Sequence, residues 1–537
     1  MKVKSLLLTV LAAALFTGCS DSEGDSPDPS MIGRAFLSLS LQSTTGPSTR
    51  ATGSIEEKPG TSDESKAEEV KVLLFDEHDL CLGVVPVTGA TIGNSSGDSN
   101  PTAAATEAIA VPPKTAKVFV VINPYTTGWD FTEDKVKNKT WDEINTTLTN
   151  AEIENVATNE KFMMASAGYE KATDKSVTYK GALTDVTTNV KIPKDYTSEE
   201  IEAAKTAAKA LPAVVNVDRL ASKVTVTKAS AFTIAPTDAK FTFQGWELSV
   251  TNKSVRLYSD LVSYDNKTTG AVYRKDKNYE VGEQPTTPTE LRAAFDYLKN
   301  IDDTSEEIPE VTRASEASAY CLENTMEAKA QKLGFTTKVV VKAKYTPKDI
   351  AENTSYFSWN GKYYTLTALQ EEYKNTASGG LKDDLPKFLH RAKLMTDDVF
   401  NGADQDAKNK VVEDLTAEKF TAKTGIIGRY CAVRYYHESV CYYDVLIRHD
   451  KNVEQKMALG RWGVVRNNWY SISLQSVTGP GTPWIPDPSD PDPTDPTKPD
   501  PENPTGPDID DDENDAYLSV KITINPWTFW TQEANLH

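Results

Sequence analysis

Alternation with a period of two residues dominates the chain, and it predicts strands. Ala35, Leu37, Leu39 and Leu41 fall on one face of a first strand, with Phe36, Ser38, Ser40 and Gln42 on the other, the pattern of a half-buried strand. Val70–Phe75 and Leu80–Val85 flank a short Asp/Glu/His turn and read as a hairpin. Lys117–Ile122, closed by Asn123 and Pro124, reads as a buried strand, and so does Lys223–Thr227. Phe241–Val250 continues the pattern. Two more runs, Gly428–Tyr436 and Val440–His449, predict a second hairpin turning at His437, Glu438 and Ser439. That register places Cys431 and Cys441 about four residues apart along the strand, too far for a disulfide, so both read as buried thiols. Gly463–Leu474 closes the compact body. Helices are few. Thr197 and Glu200 look like a capping box opening a helix to about Ala210, and residues 289–300 and 367–375 read as short helices inserted in loops.

From Pro483 to Asp515 the pattern stops, giving way to repeated Asp-Pro steps that predict an extended, polyproline-like linker. Alternation then returns once: Leu518, Val520, Ile522 and Ile524 share a face, followed by Trp527, Phe529 and Trp530. This is a well-patterned strand at the end of a linker, with no sheet of its own to join.

The 537 residues predict at least two domains. The formal net charge is −20, which argues against nucleic acid as a partner. Twelve acidic residues against the single Lys498 lie between 486 and 515, so the body itself is only mildly acidic. The Asp508–Asp515 run lacks the glycine and ligand spacing of an EF-hand loop and reads as solvated linker. Five scattered cysteines, at 19, 81, 321, 431 and 441, make neither a disulfide framework nor a zinc site. HExxH, Walker A and GxGxxG motifs are all missing from the sequence, and no cofactor, metal or enzymatic activity is expected.

Two features organise the rest. Lys2 and Lys4 precede an apolar run, Ser5–Phe16, which is too short to span a bilayer. Leu15–Cys19 follows it and resembles a bacterial lipobox, with Cys19 the acylated residue. Serine after that cysteine points to the outer membrane. Arg50 and Ala51 lie in a polar loop just after the first strand, where proteolysis concentrates. A cut there releases Ala35, Leu37, Leu39 and Leu41 and leaves an open sheet edge. The C-terminal strand of a neighbour has the period to fill that edge. A head-to-tail contact of this kind does not close and builds a filament. Arg34 is a competing cut site that leaves the strand attached.

With these features, the stretches Lys117–Pro124, Asp218–Val224, Cys441–His449 and Gly463–Tyr470 resemble the type V pilus fimbrillins of Bacteroidales, specifically the short-fimbria (Mfa-type) major subunits. The resemblance implies a mostly β fold of two transthyretin-like β-sandwich domains with helical insertions. The boundaries that go with it are a signal peptide and lipobox (1–19), a propeptide (20–50), an N-terminal sandwich (51–235), a C-terminal sandwich with insertions (236–483), a Pro/Asp-rich linker (484–515) and a donor strand (516–537). It further implies an Arg-specific surface protease, polymerisation by donor-strand exchange, a stalk position between anchor and tip subunits, and a part in adhesion and biofilm formation. A second reading, from a different class, is an outer-membrane glycan-binding lipoprotein that stacks sugars on Tyr435, Tyr436, Tyr442, Tyr443, Trp462 and Trp469.

Overall fold

The computed structural model describes residues 29–43, 58–94, 104–124, 128–157, 161–171, 177–262, 272–298, 311–450, 453–492, 495, 497–504, 506–513 and 517–528. It is mostly β, as the alternation predicts. The first half is built from β1 (Ala35–Leu37), β2 (Leu39–Ser43), β3 (Lys58–Pro59), β4 (Val70–Phe75), β5 (Cys81–Val87), β6 (Ile92–Asn94), β7 (Lys117–Ile122) and β8 (Met164–Ser166), then helix α1 (Ser198–Ala210) and β9 (Ala213–Arg219). One sheet runs β5-β4-β7-β8-β9-β2-β6, with Thr184–Asp185 also pairing with β7. The hairpin β4–β5 forms with Val70 opposite Val87. Both faces of this sheet are covered. Val72, Val118 and Val120 pack into one core, while Leu73, Phe75, Phe119 and Val121 pack into another with Trp129 and Phe131. That double burial is why β4 and β7 read as nearly continuous apolar runs.

Leu220 alone separates β9 from β10 (Ala221–Ile234), which opens the second half. There follow β11 (Lys240–Ser249), β12 (Ser318–Leu322), β13 (Lys338–Thr346), β14 (Val440–Leu446), β15 (Asn468–Val477) and β16 (Leu518–Thr528). A sheet of order β12-β10-β15-β16-β3 faces a sheet of order β11-β13-β14. Val224, Ile472 and Leu474 from the first meet Trp246, Val341 and Tyr443 from the second in one core, a β-sandwich by construction. Helix α1 starts where its cap predicts, with the Thr197 side chain accepting from the Glu200 N–H.

Five expectations are corrected. Residues 428–449 do not form a hairpin. Arg434–Tyr436 pairs with Tyr356–Trp359, and β14 pairs with β13. Between them Glu438 and Ser439 take positive φ (47° and 64°), so the turn hands the chain from one sheet to another instead of folding it back. Cys431 and Cys441 accordingly lie in different cores, both as free thiols, Cys431 half-buried. The inserted helical region is larger than the single helix expected at 367–375. Leu366–Asn375, Leu381–Arg391, Asp397–Asn401 and Gln405–Glu413 surround their own apolar core, because Leu381, Leu385, Phe388 and Leu389 recur at helical spacing, and Ala422–Ile427 follows with Ile426 packed against Trp484. The first strand is buried on both faces. Finally, the Pro/Asp-rich segment is not a free linker, nor is the C-terminal strand without a sheet.

Candidate functional site

Strands β1 and β2, which precede Arg50, occupy an interior position. β2 runs parallel to β9, with Leu39 opposite Ala213 and Leu41 opposite Val215, and parallel to β6 on its other side. β1 pairs antiparallel with Ile109–Val111. Ala35, Leu37, Leu39 and Leu41 point into the core that holds Val72, Val118, Val215 and Val217, and none is more than 1% exposed. Phe36 points the other way and is equally buried, against Ile201, Ala204 and Ala208 of α1. The sequence pattern identified the first four residues but read Phe36 as outward. What covers it is a helix 160 residues later, whose apolar stripe (Ile201, Ala204, Ala208) was the available signal. Ser38 Oγ donates to the Thr106 carbonyl (2.6 Å) and the Leu39 N–H donates to Thr106 Oγ1 (3.0 Å). Burying Phe36, Leu37, Leu39 and Leu41 stabilises the strand by about 1.5–3 kcal/mol per side chain.

Arg34 is exposed, and Ala35 just after it is already buried. Arg50, Ala51 and Cys19 lie outside the described residues. Beyond β3 the chain is tied down, since Glu64 is buried and ion-paired with Lys223 (2.7 Å).

The C-terminal strand β16 lies on the body of its own chain. It runs antiparallel to β15, with Val520 opposite Leu474, Ile522 opposite Ile472 and Ile524 opposite Tyr470. Trp527 and Thr528 pair in parallel with Lys58 and Pro59 of β3. Leu518 is buried, whereas Val520 and Ile522 are only half-buried against the sandwich core. Phe529 and Trp530 lie outside the described residues.

The acidic segment before it is a strap. Trp484 and Ile485 are buried at its start. Asp490 receives Arg429 Nε at 2.9 Å and a hydrogen bond from Tyr430. Arg391 reaches Asp500 and Glu502, each at 2.6 Å, and Arg461 reaches Asp512 at 2.6 Å. Lys332 pairs with Asp510. Acidity read as solvation is therefore partly a row of counterions for basic groups on the body. Burial pushes the Asp490 carboxyl up to about 6, with the neighbouring Asp487 adding to it and Arg429 opposing. Burial likewise pushes Asp511 up to about 8, where Thr336 Oγ1 donates to it at 2.6 Å.

Two stretches that carry the family resemblance meet at the junction of the halves. Asp218 accepts from Arg274 (2.8 Å) and from the Asn467 amide (3.0 Å), and Arg466 pairs with Glu323 (3.2 Å). All five are buried. These buried charges pair across the junction, with Arg274 Nε, Glu323 Oε1 and Arg466 Nε left without a hydrogen bond among the described residues, and the pairing gives them a structural role. Tyr435, Tyr436, Tyr442 and Tyr443 are buried in cores, and Trp462 and Trp469 are half-buried, so the six do not make an exposed stacking face. Among the described residues, no group of three metal-ligating side chains converges, and no helix is long and apolar enough to cross a membrane.

Residues 434–533 match the family described as major fimbrial subunit protein type IV, fimbrillin, C-terminal. That span takes in β14, β15, the strap and β16. Among solved structures, the chain is similar to a putative cell adhesion protein from Parabacteroides distasonis, at 12% identity over 93% of this chain and 99% of that one (TM-score 0.39). It is similar also to a fimbrilin, FimA, from Porphyromonas gingivalis, at 15% identity over 93% and 98% (TM-score 0.34). The tip fimbrial protein Mfa3 of Porphyromonas gingivalis, with a C-terminal truncation, is similar at 10% identity over 92% and 100% (TM-score 0.32). No curated protein matches the chain.

Proposed function

We propose that this chain, whose C-terminal region is that of the fimbrillin family, is the polymerising stalk subunit of a cell-surface fimbria. It is exported as a lipoprotein acylated on Cys19 and held at the outer membrane. An Arg-specific surface protease cuts between Arg50 and Ala51. The cut removes the lipid and the leader strand together, and the vacated slot takes the C-terminal strand of the next copy. Repetition gives a head-to-tail filament that works in adhesion and biofilm formation, with anchor and tip subunits at its ends.

One observation carries this reading. A strand lying upstream of an Arg-Ala bond fills an interior slot of the first sheet, buried on both faces between β9 and β6. Losing it leaves two unpaired strand edges and an exposed apolar trough, a state that another strand must repair. The C-terminal strand has reason to move there. Val520 and Ile522 are half-buried on their own body, while Leu39 and Leu41 in the leader slot are at most 1% exposed. Exchange thus deepens burial of the same side chains.

Soluble precursor starting at Ser20, treated with an Arg-specific protease, tests the reading. Mass spectrometry is expected to find a new N-terminus at Ala51, and an unheated denaturing gel a ladder of multimers that disappears on deleting residues 516–537. A precursor cut at Ala51 that stays monomeric, or a ladder that survives the deletion, contradicts it.

A further inference from the structure

The leader strand and the C-terminal strand share more than a period. Ala35-Phe36-Leu37-Ser38-Leu39-Ser40-Leu41 is echoed by Ala516-Tyr517-Leu518-Ser519-Val520-Lys521-Ile522, residue for residue and in the same direction. We infer that the incoming strand copies the leader strand in polarity and register, with Tyr517 in the Phe36 pocket, Ser519 in place of Ser38, and Leu518, Val520 and Ile522 in place of Leu37, Leu39 and Leu41. This rests on the strand-exchange reading above and adds what that reading leaves open: which way the strand runs and which residue fills which site.

Alternation alone fixes neither. Any shift of two residues, and either direction, keeps the apolar face inward. The opposite face decides, because its sites differ. The Phe36 site is an enclosed apolar pocket under α1, formed by Ile201, Ala204 and Ala208, and only an aromatic side chain of similar volume fills it. Lys205 lies 5.6 Å from the Phe36 ring centre and offers a polar neighbour to the extra hydroxyl of tyrosine. The Ser38 site is a hydrogen-bonding site, where a hydroxyl donates to the Thr106 carbonyl. Ser519 supplies the same hydroxyl two residues after Tyr517, at the spacing of Ser38 from Phe36. Lys521 then falls at Ser40, which is 1% exposed, so its ammonium reaches water only where the stem extends past the neighbouring Val214 of β9, which is 42% exposed. Run in the opposite direction with Leu518–Ile524 facing inward, the segment places Thr523, Lys521 or Asn525 in the aromatic pocket. Each of these either empties the pocket or buries polar groups in it.

Tyr517 is moreover available. It is 51% exposed in the single chain, one of the few large hydrophobic side chains left on the described surface.

Cysteine pairs on two separate copies read the register. The donor copy of the full chain carries Ser519→Cys, Lys521→Cys or Thr523→Cys, the acceptor copy Val214→Cys or Asn216→Cys, and both are cut at Arg50 and mixed under oxidising conditions. Val214 lies opposite Ser40 and Asn216 opposite Gln42. The expected disulfides are therefore Val214→Cys with Lys521→Cys and Asn216→Cys with Thr523→Cys, neighbouring strands being close enough for direct bridging. A dominant bridge from Asn216→Cys to Ser519→Cys, or a multimer ladder with neither expected bridge, overturns the register while strand exchange itself survives. No ladder at all removes both. Tyr517→Ala is expected to slow ladder formation by about tenfold, and Tyr517→Phe to leave it unchanged. Equal rates for the two variants overturn the pocket assignment.

Discussion

His449 illustrates how a single residue in a β-rich chain acquires its setting. It ends one of the stretches that carry the family resemblance, and in the sequence it reads as an ordinary surface or sheet histidine. In the fold it is 3% exposed, with Nδ1 2.8 Å from the Tyr470 hydroxyl and its ring 5.5 Å from that of Tyr273. Burial lowers its pKa from 6.5 to about 4, against the opposing charges of Asp450 and Glu323. The unfolded chain thus takes up this proton near pH 6.5 and the folded chain only near 4, so stability falls as pH drops through that window. Between pH 7 and 5 the loss is about 2 kcal/mol. The raised carboxyls of Asp490 and Asp511 act in the opposite sense over the same window, so the effect is read as the midpoint difference between wild type and His449→Gln, which should shift against the wild type by this amount from pH 7 to pH 5. A difference between the two proteins that does not change with pH contradicts the assignment. Asp218, Arg466 and Asn467 teach the same lesson. The motif stretches that contain them were visible in the sequence, but their meeting depends on one-residue passage from β9 to β10, which no local pattern encodes.

At the scale of elements, what the sequence revealed was strand existence and facing. β4, β5, β7, β10 and β11 stand where alternation or apolar runs put them, and α1 starts at its predicted cap. Partners were less legible. Residues 428–449 have a self-consistent hairpin register, yet positive φ at Glu438 and Ser439 sends the two arms to different sheets. Composition misled at the strap. Repeated Asp-Pro steps suit a solvated linker, but Arg391, Arg429 and Arg461 are spread over the body so that the same carboxylates dock. The leader strand carries the element-scale prediction. Phe36→Ala is expected to destabilise the uncut precursor by about 3–5 kcal/mol, read from chemical denaturation. The same substitution is expected to leave the cut, mature chain unchanged, because the residue has left with the propeptide. A precursor no less stable than wild type would mean that the α1 pocket does not grip the leader.

At the scale of the whole molecule, the described sheets are filled by the chain's own strands. The first sheet is filled by its own leader, the second carries its own C-terminal strand, and the strap is neutralised by its own basic groups. Under the proposed reading, a cut at Arg50 would open the first sheet, and a neighbour's C-terminal strand filling it would make a heterologous contact that grows without closing. The most direct measurement isolates the slot from the chain's own tail. A chain lacking residues 516–537 is titrated with a peptide covering residues 514–530, before and after cleavage at Arg50, with binding followed by calorimetry. The account predicts one more peptide bound to the cut chain than to the uncut one, in which only the β15 edge left by the deletion is open. Equal binding to both forms, or none to the cut chain, contradicts it.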